Sequence, residues 1–132
     1  SQRLLLTWLI ETPALFEKIE GVITADDFVE DLYHQVAQMV FDGHREGNLN
    51  PAAILSRFIN DEDQYKEVAA LFNASLKESL NNEEQKKAFS ETVMKVRKNS
   101  LDVASRNAKD ITQLQEIIRQ QAALKQLHIS LD

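Results

Sequence analysis

Residues 82–107, NEEQKKAFSETVMKVRKNSLDVASRN, run into AKDITQLQEII at 108–118, and these two stretches decide the fold. The first contains neither Gly nor Pro, and Phe89, Val93, Val96 and Leu101, with Val103 and Ala104 beyond, recur at helical spacing. Asn82-Glu83-Glu84-Gln85 reads as a capping box at its start. Asp110-Ile111-Thr112-Gln113 repeats the device, an N-cap acid with Gln at the third position, so the long helix must turn near 107–109. A last helix over about 111–127 then carries Ile111, Leu114, Ile117, Ile118, Leu124 and Leu127. Two helices joined by a short turn form a hairpin.

Towards the N-terminus the punctuation is equally helical. An apolar helix is expected over about 2–11. Thr12-Pro13 supplies an N-cap hydroxyl and a proline whose missing N–H costs nothing at the first helical position. Leu15, Phe16 and Ile19 share one face of the short helix that follows, with Gly21 placed to end it in a left-handed conformation. Thr24-Ala25-Asp26-Asp27 opens the next helix, and Phe28, Leu32, Val36, Met39 and Val40 carry it to about Phe41 or Arg45, where Gly43 and Gly47 mark the stop. Asn50-Pro51 starts a helix with Ile54, Leu55, Phe58 and Ile59 inward, and Asn60-Asp61 breaks it. Tyr65, Val68, Ala69, Leu71 and Phe72 form a further stripe ending in a polar loop near 79–82. The fold class is all-α. A helical bundle is expected over 1–80, a long connecting helix over 81–107, and the hairpin's last helix over 108–132.

A chain of 132 residues is one ordinary domain, and 43% hydrophobic with 27% charged residues is a globular composition. Without cysteine there is no disulfide framework and no thiolate metal site, which fits a reducing cytoplasm. The longest apolar runs are far too short to span a bilayer, no secretory signal is evident, and Ser1 in place of a starting Met reads as the cut end of a longer chain. The net charge of −6 is unevenly spread. From 85 to 109 only Glu91 and Asp102 face Lys86, Lys87, Lys95, Arg97, Lys98, Arg106 and Lys109, whereas 11–84 is strongly acidic. Overall acidity argues against nucleic acid as the main ligand, because phosphate binding draws on counterion release at a basic surface. The plainer reading of the basic stretch is a solvated helix face.

Candidate chemistry is sparse. Glu30, Asp31 and His34 share a helix face and could be drawn as a metal cluster, but the tighter spacing of hydrolytic metal sites is missing. His44 and His128 are too isolated to form a relay. The acid pairs Asp26/Asp27, Asp61/Asp63 and Glu83/Glu84 sit at helix starts, where the helix dipole favours them. No glycine-rich phosphate loop occurs. Asn73-Ala74-Ser75 matches a glycosylation sequon by chance, and Trp8, beside Leu5 and Leu9, reads as core. No catalytic residue, cofactor or metal is expected in this fragment. What stands out is the apolar stripe of the last helix, more than two lone helices can bury.

The run Arg3-Leu4-Leu5-Leu6-Thr7-Trp8-Leu9-Ile10, then Pro13, Phe16, Ile19, Asp26-Asp27-Phe28, the stretch 33–41 and the Asn50-Pro51 helix start resemble the C-terminal region of bacterial DnaG-type primases, closest to those of Bacillus-like bacteria. The likeness extends through the basic long helix to the terminal hairpin. The bundle also looks like the N-terminal domain of the replicative helicase. Membership would imply a bundle that stimulates the helicase and a terminal hairpin that binds it. The partner would be the N-terminal collar of the hexameric replicative DNA helicase, in the cytoplasm at the replisome. The polymerase and zinc-binding regions of such a primase would lie upstream, so the parent enzyme would be a DNA-directed RNA polymerase and this fragment would be non-catalytic.

The residues expected to meet that partner are Ile111, Leu114, Ile117, Ile118, Arg119, Leu124, Lys125 and Leu127, since interfaces concentrate their energy in apolar and Arg anchors. Self-association stays open, membrane contact is not expected, and nucleic acid is expected to bind weakly or not directly. Two other functions compete. One is the helicase's own N-terminal collar domain, which would form rings and lack the extra hairpin. The other is a nucleic-acid-binding helical module using 86–109, whose binding would fall steeply with salt.

Overall fold

The computed structural model describes residues 1–73, 81–127 and 129. The sequon's Ala74 and Ser75, the loop residues 79–80 and His128 fall outside these. Among the described residues every regular element is helical, as the sequence leads one to expect. In order they are α1 (Gln2–Glu11), a 3-10 turn (Pro13–Lys18), a second 3-10 turn (Ala25–Asp27), α2 (Asp31–Arg45), α3 (Pro51–Ser56), α4 (Glu62–Asn73), α5 (Asn82–Asn107) and α6 (Ile111–Leu124).

α1 is the axle of the bundle. Leu5, Leu6, Thr7, Trp8 and Leu9 are all buried, so the middle of this helix is covered on every side, while Arg3 and Leu4 of its first turn are exposed. A helix apolar around its circumference belongs in the middle of a protein, and α2, α4 and α5 pack around it. Two of its polar side chains find partners, Thr7 donating to the Arg3 carbonyl at 3.1 Å and the buried Gln2 accepting the Glu30 backbone N–H at 3.1 Å, while among the described residues the buried Trp8 indole N–H has none. Trp8 meets Phe89 of α5 edge to face, with ring centroids 6.0 Å apart. α5 is therefore more than a connector, because it also sends Thr92, Val93 and Val96 into the interior.

Several local expectations shift. The 13–19 segment forms a 3-10 turn, and among the described residues the Thr12 hydroxyl is buried without a hydrogen-bond partner, so it is no N-cap; the Thr12 carbonyl accepts the Leu15 N–H at 3.0 Å instead. The helix expected from Thr24 is split. Thr24–Asp27 closes a single turn, the backbone extends at Phe28, and α2 begins only at Asp31. Gly21 and Gly47 take positive φ, +78° and +70°, as helix terminators do. Gly43 does not stop α2; it lies inside the helix, and glycine suits the position because a Cβ there would stand 3.2 Å from Leu49 Cα, where the following loop returns. α3 ends at Ser56, the chain turns, and Ile59 comes out 68% exposed rather than inward. Tyr65 sits at the surface edge of its stripe. The cap of α5 is Asn81, one residue before the expected position, and its side chain accepts the Glu84 N–H at 2.9 Å.

The α5–α6 hairpin forms where expected. The Asp110 side chain accepts the Gln113 N–H at 2.8 Å, while Gln113 Oε1 accepts the Lys109 N–H at 3.0 Å. Reciprocal capping of this kind stops α5 and starts α6 within a few residues.

Candidate partner-docking site

α6 is the least buried helix in the protein: none of its residues is buried, although it packs along α5. A helix advances about 100° per residue, and the apolar side chains of α6 fall on two faces. Ile111, 72% exposed, and Ile118, 52% exposed, project outward with Gln115 and Ala122 on the same side. Leu114, Ile117 and Leu124 are half-buried on the other side, with Leu124 bordering a groove shared with Gly21 and Val22 of the bundle. The expected stripe is thus divided between solvent and the protein's own surface. Beyond α6, Leu127 packs against the core and Ile129 is buried in it.

The polar neighbours shape the outer face. Arg119 lies along the helix surface and donates to Glu116, Nε to Oε2 at 3.0 Å. Glu116 also accepts from Gln120 at 3.1 Å. These hydrogen bonds, Arg119's first, hold the Glu116 carboxyl down at about 2, and the same pairing raises Arg119. The pair stays charged across physiological pH and flanks the two isoleucines. Lys125 is an exposed residue at the C-terminal end of α6. Of the eight expected residues, Ile111, Ile118, Arg119 and Lys125 are open to a partner, while Leu114, Ile117, Leu124 and Leu127 are half covered by their own chain.

The feature that sequence reasoning missed is the tie at the base of the hairpin. Asp27, 3% exposed, accepts the Thr24 N–H on Oδ2 at 2.9 Å and the Arg97 guanidinium on Oδ1 at 2.7 Å. Through its other terminal nitrogen Arg97 donates to Gln120 of α6 at 3.1 Å. One arginine therefore joins the bundle, α5 and α6. Asp27 reads in sequence as an acid at a helix start and Arg97 as one of a basic run; seventy positions separate them, and no local periodicity links the two. A second link runs from Gln121 to Asp102 at 3.2 Å.

The basic stretch is partly spoken for. Arg97 serves Asp27, Lys98 lies 3.6 Å from Asp102, and Lys86 lies 3.6 Å from Glu83. Lys87, Lys95, Arg106 and Lys109 are exposed, with Glu91 and Asp102 interleaved on the same helix. Beside α1, Gln2, Arg3, Glu30, Tyr33, Lys95 and Asn99 line an open hollow of about 430 Å³. Two of its lining side chains are held from outside it by Glu67, to which Tyr33 donates at 2.8 Å and with which Arg3 pairs at 2.7 Å. Burial, then the Glu67 hydrogen bond and charge, push the Tyr33 phenol up to about 12. His34 is held by the Ala25 carbonyl at 3.0 Å, and His44 stacks on Phe16 with ring centroids 4.1 Å apart, which gives both histidines structural neighbours. Among the described residues no cluster of metal-ligating side chains occurs, and no helix is long and apolar enough to cross a membrane. Comparison with protein families, curated proteins and solved structures found no match to this chain.

Proposed function

We propose that this chain is the helicase-binding C-terminal region of a bacterial primase, a non-catalytic module that docks the primase on the hexameric replicative helicase and stimulates it. On this reading the bundle acts on the helicase and the α5–α6 hairpin supplies the binding surface, so that primer synthesis stays near the fork. The observation that carries the reading is the outer face of α6, where Ile111 and Ile118 stand 72% and 52% exposed on a helix with no buried residue of its own. Large apolar side chains paired on one exposed face, flanked by a fixed Arg–Glu pair, fit a protein partner better than solvent. The resemblance of the chain to DnaG-type primases names that partner.

The test is a pair of titrations with the fluorescently labelled chain. Hexameric replicative helicase is expected to bind it with an affinity nearly insensitive to salt. Single-stranded DNA is expected to bind weakly if at all. Steeply salt-dependent binding to DNA, with none to helicase, would replace this reading with a nucleic-acid module built on α5.

A further inference from the structure

Between the first 3-10 turn and the C-terminal end of α2 lies a hollow of about 360 Å³, lined by Phe16, Ile19, Ile23 and Phe41 together with His44. That volume is at the lower end of the roughly 300–1,000 Å³ of ligand pockets, which suits one large side chain and its neighbours. Its aromatic part is already fixed. Phe16 stands edge-on to Phe41 with ring centroids 5.0 Å apart and takes the His44 ring stacked against it. Rings held in place lose little freedom when a ligand arrives.

The charges around this apolar surface have one sign. Glu17 and Glu20 line the hollow, both are exposed, and among the described residues neither carboxylate has an ion pair or hydrogen bond. Lys18, between them in sequence, does not line it, and Arg45, which does, is paired with Asp42 of its own helix. The C-terminal end of α2, at His44 and Arg45, adds the partial negative charge of a helix terminus. Phosphate-bearing and acidic ligands are disfavoured by such a rim, because like charges brought together suppress the wrong partner.

We infer that this hollow docks a protein segment carrying an aromatic side chain between basic residues. The ring packs on the apolar lining, and the basic neighbours meet Glu17 and Glu20. None of the lining residues belongs to α6, so this site is separate from docking through the hairpin.

The test is a titration of the isotope-labelled chain with acetyl-Lys-Trp-Lys-amide, read from its backbone amide resonances. At low salt the peptide is expected to give saturable shifts at Phe16, Glu20, Gly21 and His44. Acetyl-Lys-Ala-Lys-amide, which lacks the anchor, is expected to bind at least about tenfold more weakly. The acidic analogue acetyl-Glu-Trp-Glu-amide is expected not to saturate. Glu17→Gln with Glu20→Gln alters two exposed side chains, so the fold is expected to persist while the basic peptide binds about 3–10-fold more weakly, a difference that fades as salt screens the charges. Equal binding of the basic and acidic peptides overturns the inference, as does an affinity indifferent to the double substitution at low salt. Shifts confined to other faces of the protein, or no saturable shift at all, overturn it too.

Discussion

Replacing Arg97 with Ala should show how much of the fold depends on a single long-range pair. The Asp27 carboxylate is 3% exposed and would keep only the Thr24 N–H at 2.9 Å. Breaking one partner out of a buried pair costs about 3–5 kcal/mol. Here the Arg97 side chain is 26% exposed, so water can reach part of the vacated volume, and the cost falls to about 2–3 kcal/mol. For a chain of 132 residues that corresponds to a drop in Tm of roughly 9 °C. Asp27→Ala should cost as much, because it removes the capping acceptor as well as the pair. In the double variant neither charge is left buried alone, and the cycle should return a coupling energy of about 2 kcal/mol. Urea unfolding followed by circular dichroism measures all four proteins. A cost for Arg97→Ala below about 0.5 kcal/mol, or strict additivity of the two substitutions, would refute the reasoning.

Phe89→Ala removes a ring that is 1% exposed and edge-on to Trp8, and should destabilise the protein by about 3–5 kcal/mol in the same assay. Gly47→Ala meets no neighbouring atom, yet φ of +70° strains any L side chain, so a loss of about 1 kcal/mol is expected in thermal melting. Tyr33 keeps its proton in the folded state up to about 12, against 10.0 for the free phenol. The unfolded chain therefore loses that proton first, and stability should fall as pH rises from 10 to 12; with solvent screening the loss is about 1 kcal/mol. Tyr33→Phe should abolish this component of the alkaline decline while leaving the profile below pH 10 parallel to the wild type.

Helix content was legible because each device that writes it is local. The boundary of α6 could be read from Asp110 and Gln113 alone, and the stop after α2 from Gly47. Boundaries slipped where two local signals competed. Asn81 and Asn82 are both acceptable caps, and only the geometry of the turn selects the first. Thr24 does begin a helical turn, but Asp27 is recruited by Arg97 and the chain extends at Phe28 before α2 starts. Gly43 resembles a terminator in sequence, whereas its role is to admit the backbone of Asn48 and Leu49. The candidate site was half legible for the same reason. Apolar spacing identified α6 as amphipathic, but spacing alone could not say that Leu114, Ile117 and Leu124 lie half-buried while Ile111 and Ile118 stand exposed. That choice depends on how α6 packs along α5, where the Gln120–Arg97 and Gln121–Asp102 hydrogen bonds also form, and such tertiary contacts leave no periodic trace.

Docking through the hairpin requires the outer face of α6. Ile111→Asp with Ile118→Asp alters two side chains that lie outside the core, so helix content and Tm should stay within a few degrees of the wild type. Binding of the intact double variant to hexameric replicative helicase, followed by calorimetric titration, is expected to weaken by at least about 100-fold, the loss of two apolar anchors. An unchanged dissociation constant would contradict the account.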